Sequence, residues 1–123
     1  MAQDIIKCYD GPSDIIATLV EDFIAFTDAE ISRTETCIVG ITGGTVVNGL
    51  LEALNSPEYI ERVNWERVFF LWTDERFLPQ SHEDNYFNRV KPFLLCKAKG
   101  AAHFLPINTD SKTVVEAAEE YEK

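Results

Sequence analysis

From Ser13 to Ala29, apolar residues recur at three- and four-residue spacing, with Ile15, Ile16, Leu19, Val20, Phe23 and Ile24 along one face. That period predicts an amphipathic helix. Pro12 marks its start, with Ser13 or Asp14 as the cap. The pattern then changes. Thr36 to Ile41 reads TCIVGI, a short apolar run rich in β-branched residues, which predicts a buried strand. The turn Thr42-Gly43-Gly44-Thr45 follows directly, and Val46 to Leu54 reads as a helix with Leu50, Leu51 and Leu54 on one face. Asn55-Ser56-Pro57 ends it. Arg67 to Trp72 (RVFFLW) is apolar nearly throughout, as a strand covered on both faces should be. Strand, helix and strand in this order form a βαβ unit with a right-handed crossover.

Beyond it, Thr73 to Glu83 is polar and reads as a loop, and Asp84 to Leu95 as a helix interrupted or kinked at Pro92. Phe104 to Ile107 is a third strand candidate. From Ser111 to the end, Val114, Val115, Ala118 and Tyr121 fall on one side of a further helix, which reaches the last residue without a stop signal. No internal repeat interrupts this order. The predicted class is α/β: a three-layer, mostly parallel, Rossmann-like sheet with helices on both faces. Three strands are few for such a sheet, so the expectation is a truncated fold.

Composition supports a packed core, since hydrophobic residues make up 46% of the 123 positions. The length fits one domain or a piece of one. The formal net charge of -10 repels nucleic-acid backbones and anionic membranes, which argues against both as partners. It equally repels a phosphorylated metabolite, so a site for one must rely on aimed backbone N–H groups and a few cationic side chains. Cys8, Cys37 and Cys96 are odd in number and widely spaced, which argues against a disulfide framework or a zinc site and for a reducing compartment. The N-terminal MAQDIIKCYDG has an early Asp and no apolar run of signal-peptide length. A cytoplasmic protein is the expectation.

Chemistry concentrates in two places. The first is Thr42-Gly43-Gly44-Thr45, between a strand and a helix. Glycines there let the backbone approach a ligand, and the helix's first-turn N–H groups and dipole favour an anion. Thr42 and Thr45 add hydroxyls. The plain alternative is a tight turn in which Thr45 caps the helix, and these residues alone fit it at least as well. The second is Thr73-Asp74-Glu75-Arg76, at the carboxyl end of the next strand, where ligands of open α/β sheets bind. Arg76 can grip a phosphate or carboxylate with two parallel hydrogen bonds, and Asp74 and Glu75 can orient it or a water. The plain alternative is an ion-paired surface loop. His82 and His103, the two histidines, read as a solvated loop residue and a structural one, and Trp65 and Trp72 as core or rim.

Together these residues resemble a known family. Gly40-Ile41-Thr42-Gly43-Gly44-Thr45, Trp65, the apolar strand, Asp74-Glu75-Arg76, Pro79, His82 and Asn85 occur in the order seen in 6-phosphogluconolactonases. That family shows a Ser-Gly-Gly-Ser turn, then Asp-Glu-Arg, a Val-Pro pair, a His and a Ser-Asn pair. Here threonines replace the serines, Phe77-Leu78-Pro79 replaces the usual run, Asp84-Asn85 replaces Ser-Asn, and Val46-Val47 stands where many members have Thr-Pro. The likeness runs from about Cys37 to Pro106. Related aminosugar-phosphate deaminases share the fold and a Thr-Gly-Gly-Thr turn but carry Asp-Glu-Tyr, so Arg76 favours the lactonase.

The resemblance implies that residues 1–123 are the N-terminal part of a single lactonase-like domain. It implies hydrolysis of 6-phosphoglucono-δ-lactone to 6-phosphogluconate in the oxidative pentose phosphate pathway, with no metal and no organic cofactor. Thr42, Gly43, Gly44, Thr45 and Arg76 would bind the sugar phosphate, and Asp74 and Arg76 would form the catalytic part of this half. The family's general base is a histidine in an Asp-Gly-His motif, which this sequence lacks. Two alternatives stay open: a sugar-phosphate deaminase or isomerase of the same superfamily, or a non-catalytic half-domain that binds a phosphosugar or self-associates through an unpaired sheet edge.

Overall fold

A computed structural model describes residues 5–97, 102–111 and 113–122. Helix α1 spans Pro12–Thr34, strand β1 Cys37–Ile41, helix α2 Thr45–Leu54, strand β2 Val68–Trp72, helix α3 Tyr86–Lys97, strand β3 His103–Leu105 and helix α4 Val114–Glu122. Two short 3-10 turns, Ile60–Arg62 and Trp65–Arg67, lead into β2. The strands form one parallel sheet in the order β1-β2-β3. Cys37 stands opposite Val68 and Ile41 opposite Trp72, while Phe69 to Leu71 pair with His103 to Leu105. The α/β class and the parallel sheet match the sequence expectation.

Strand geometry sends alternate side chains to opposite faces. Val68, Phe70 and Trp72 point to one face, and there they join Val20 and Ile24 of α1, Leu51 and Leu54 of α2 and Val90 of α3 in a single core. Phe23 stacks on Phe70 and Phe87 packs edge-on to Trp72. The fit between α1 and α2 is tight: a Cβ at Gly49 would come within 2.5 Å of the Ile16 Cδ1 atom. Across the sheet, Ile38 remains 63% exposed and Leu105 47%. Phe69 and Leu71 are half-buried on that side.

Element ends depart from the sequence reading for local reasons. Helix α1 runs five residues past Ala29, held by an Arg33–Glu30 ion pair and closed by Glu35 at φ 72, whose N–H bonds the Ile31 carbonyl. Its N-cap is Gly11 with Pro12 in the first helical turn, so neither Ser13 nor Asp14 caps it. Helix α4 begins at Val114 rather than Ser111. Thr113 Oγ1 accepts from the Glu116 N–H while the Glu116 carboxylate accepts from the Thr113 N–H, a reciprocal capping box. Strand β3 stops at Leu105 because the Tyr121 hydroxyl enters the ladder, accepting from the Trp72 N–H and donating to the Leu105 carbonyl, each at 2.6 Å. Tyr121 thereby ties α4 to the carboxyl ends of β2 and β3. Helix α3 runs through Pro92 from Tyr86 to Lys97, so the proline does not interrupt it.

Candidate anion-binding cleft

The loops that follow β1 and β2 are stitched together. The Ile41 carbonyl accepts from both the backbone N–H and the hydroxyl of Thr73, at 2.9 and 3.0 Å. One residue further, the Thr42 hydroxyl donates to Asp74 Oδ1 at 2.6 Å. The two candidate motifs therefore lie side by side at the carboxyl edge of the sheet. Between them opens a cleft of about 800 Å³ whose lining includes Thr42, Gly43, Gly44 and Thr45 from the first motif and Asp74, Glu75 and Arg76 from the second. Tyr86, Arg89 and Phe93 of α3 form another wall.

Two helices start at this cleft, and their N-termini differ. At α3 the first-turn N–H groups are taken. Glu75 accepts from the Tyr86 and Phe87 N–H groups at 2.7 and 2.9 Å, and Asn85 Oδ1 accepts from the Asn88 N–H at 3.1 Å. Asn85 is fully buried and anchored through Thr109. Helix α3 consequently begins after Asn85, two residues later than the sequence pattern indicates. At α2 the cap residue is Gly44, and no side chain caps the helix. Thr45 is the first helical residue, so the reading of Thr45 as cap does not hold. The α2 N-terminus keeps free donors and its positive dipole end facing the cleft.

The glycines have separate reasons. A Cβ at Gly43 would sit 3.2 Å from the Tyr86 ring, so the turn lies flat on that tyrosine, whereas a Cβ at Gly44 would meet nothing within 4 Å. The space beside Gly44, at the helix start, is open. The charges are arranged asymmetrically. Asp74 is engaged by Thr42 and Glu75 by backbone N–H groups, while the guanidinium groups of Arg76 and Arg89 make no ion pair with the described residues. In an acidic chain, the cleft keeps its cations free. Glu75 is thus a helix cap rather than an orienter of Arg76 or of water.

A sequence model of the family of glucosamine-6-phosphate isomerases and 6-phosphogluconolactonase matches residues 10–123. The chain belongs to this family. Among its relatives, a probable 6-phosphogluconolactonase of Arabidopsis thaliana is 27% identical over 95% of this chain and 43% of its own length. A 6-phosphogluconolactonase of Streptomyces coelicolor is 37% identical over 55% of this chain and 26% of its own. The crystal structure of a 6-phosphogluconolactonase from Shewanella baltica superposes with a TM-score of 0.83 at 18% identity, covering 97% of this chain and 49% of that one. The Trypanosoma brucei 6-phosphogluconolactonase superposes with a TM-score of 0.73. These structures show the fold, and this chain spans about half their length.

Against that family background, His82 and His103 stand outside the cleft lining. His82 Nδ1 accepts from the Asp84 N–H, and His103 stacks on Phe69 across the strands at 4.2 Å. Trp65 and Trp72 are core residues. The Cys37 thiol is buried and burial raises its pKa, which keeps it protonated and inert, while Cys8 is exposed. The Cys96 side chain lies outside the described residues. Four cleft residues, Asn48, Tyr86, Arg89 and Phe93, escape the sequence reading. Asn48 lies three positions after Thr45 on α2 and has a buried, unpartnered Oδ1 atom. Tyr86 is 7% exposed with an unpartnered hydroxyl, and its pKa is pushed up to about 12, first by burial and then by the charges of Glu75 and Asp74. Helical spacing from Thr45 was the one signal for Asn48.

Proposed function

We propose that this chain supplies the substrate-holding half of a 6-phosphogluconolactonase, acting on 6-phosphoglucono-δ-lactone. The observation that carries this reading is the shared cleft: the uncapped start of α2 and the Arg76 side chain face one space. The phosphate sits at the α2 N-terminus, against the N–H groups after Gly44 and the hydroxyls of Thr42 and Thr45. Arg76 binds oxygens at the lactone end, and Asp74, through Thr42, keeps the two turns in register.

In the hydrolysis, water adds to the lactone carbonyl and gives up a proton to a base. The tetrahedral oxyanion collapses, the bond from the carbonyl carbon to the ring oxygen breaks, and that oxygen takes a proton. In this reading Arg76 stabilises the oxyanion. No histidine lines the cleft, so these cleft residues do not supply the histidine base that the family resemblance implies. A base contributes roughly 100- to 10,000-fold, so the chain alone is expected to hydrolyse the lactone little faster than water does. The wide cysteine spacing favours a cytoplasmic setting.

The test is direct. The chain is expected to bind 6-phosphogluconate, and Arg76→Ala to weaken it about 10- to 100-fold, the range for a charge-assisted hydrogen-bond pair. Turnover far above the spontaneous rate and dependent on Arg76 would contradict the division into halves. Ammonia release from glucosamine 6-phosphate would replace the lactonase reading with a deaminase.

The exposed sheet face favours a second property, association. Ile38 and Leu105 are open there, and β1 pairs only with β2 among the described residues. An unpaired strand edge beside an apolar face invites a second polypeptide, including another copy of this chain.

A further inference from the structure

We propose that Arg89 is the residue that selects a phosphate ester at this cleft; the inference rests on the lactonase reading and assigns a role that the sequence motifs do not. Tyr86, Arg89 and Phe93 fall at helical spacing on α3 and all line the cleft, so they form one stripe facing it. Arg89 is the charged member of that stripe. Gly43 lies on the Tyr86 ring, which sets the start of α2 against the first turn of α3. Arg89 follows Tyr86 by three residues on the same face and lines the same cleft as Gly44 and Thr45 at the α2 N-terminus.

The need for such a group follows from charge. A sugar phosphate carries between one and two negative charges at neutral pH, and this chain carries a formal -10. Uncapped N–H groups supply only a partial positive charge. Asp74, Glu75 and Asp84 also line the cleft, so a full counter-charge is required for the phosphate to prefer this site to water. In the lactonase reading Arg76 is assigned to the lactone oxygens, which leaves the phosphate to another cation. Arg89 is exposed and makes no ion pair with the described residues, so it is free to supply that charge.

The experiment compares two ligands that differ only in the phosphate. The 123-residue chain is titrated calorimetrically with 6-phosphogluconate and with gluconate, as wild type, Arg89→Ala, Arg89→Lys and Arg76→Ala. The wild type is expected to prefer 6-phosphogluconate. Arg89→Ala is expected to lower that preference about 10- to 100-fold while leaving gluconate binding unchanged, and Arg89→Lys to restore part of it. Arg76→Ala is expected to weaken both ligands and leave the preference intact. An undiminished preference in Arg89→Ala, with Arg76→Ala still weakened, overturns the role of Arg89 and leaves the lactonase reading standing. A wild type that binds neither ligand overturns the lactonase reading itself. Unchanged circular dichroism of Arg89→Ala is the folding control, expected because the side chain is exposed.

Discussion

Gly43 and Tyr86 form a pair that neither residue announces alone. The glycine was legible as a turn residue, but its reason is a ring 3.2 Å from where its Cβ would be. That ring belongs to a residue 43 positions further along the chain, so no local pattern predicts it. The same tyrosine gives a pH prediction. Its pKa is held at about 12, above the ordinary value of 10.0, so the fold favours the neutral phenol. The resulting stability is complete below pH 10 and is lost as pH rises toward 12. Denaturant titrations should show wild type losing on the order of 2 kcal/mol relative to Tyr86→Phe across that interval. At pH 7 the Phe variant should be more stable by about 1 kcal/mol, because it removes a buried hydroxyl with no partner. Parallel pH profiles for the two proteins would show that the phenol is not held neutral by the fold.

The elements themselves were legible because hydrophobic period is a local property. Their ends were not, because the groups that close them come from elsewhere. Helix α4 differs: Thr113 and Glu116 are three residues apart and their capping box stood in the sequence, yet the apolar pattern alone placed the start at Ser111. Helix α3 is the opposite case. Its cap is Glu75, eleven residues upstream of Tyr86 and delivered by the end of β2. Glu75 reads from sequence as an orienter of Arg76 or of a water, or as a surface charge, because it sits between Asp74 and Arg76. Its three backbone partners, the N–H groups of Arg76, Tyr86 and Phe87, identify it as a support instead. Glu75→Ala should cost about 1–2 kcal/mol and speed amide exchange in the first turn of α3, with Glu75→Gln losing less because one acceptor oxygen remains. If exchange there is unchanged while ligand binding falls, Glu75 acts on the ligand directly.

At the scale of the molecule, the parallel order of the strands followed from the alternation of strand and helix, but which sheet face would be covered did not. Ile38-Val39 and Phe69-Phe70 are apolar on both sides of their strands, so the sequence carries no period to choose between them. Packing chooses: α1, α2 and α3 join the face of Val68, Phe70 and Trp72, and leave Ile38 and Leu105 toward solvent. Parallel sheets are ordinarily covered on both faces. The cleft, by contrast, is built from the carboxyl ends of β1 and β2 and the starts of α2 and α3, none of which includes Ile38 or Leu105. Association and ligand binding should therefore separate. Sedimentation of the chain should show concentration-dependent self-association, and replacing Ile38 and Leu105 together by threonine should weaken it at least tenfold, since two exposed aliphatic side chains buried at an interface contribute roughly 1.5 kcal/mol or more each. The same double variant should keep the wild-type affinity for 6-phosphogluconate. A chain that remains monomeric at high concentration would remove self-association as the use of this face, and loss of ligand binding in the threonine variant would mean that the face supports the cleft rather than a partner.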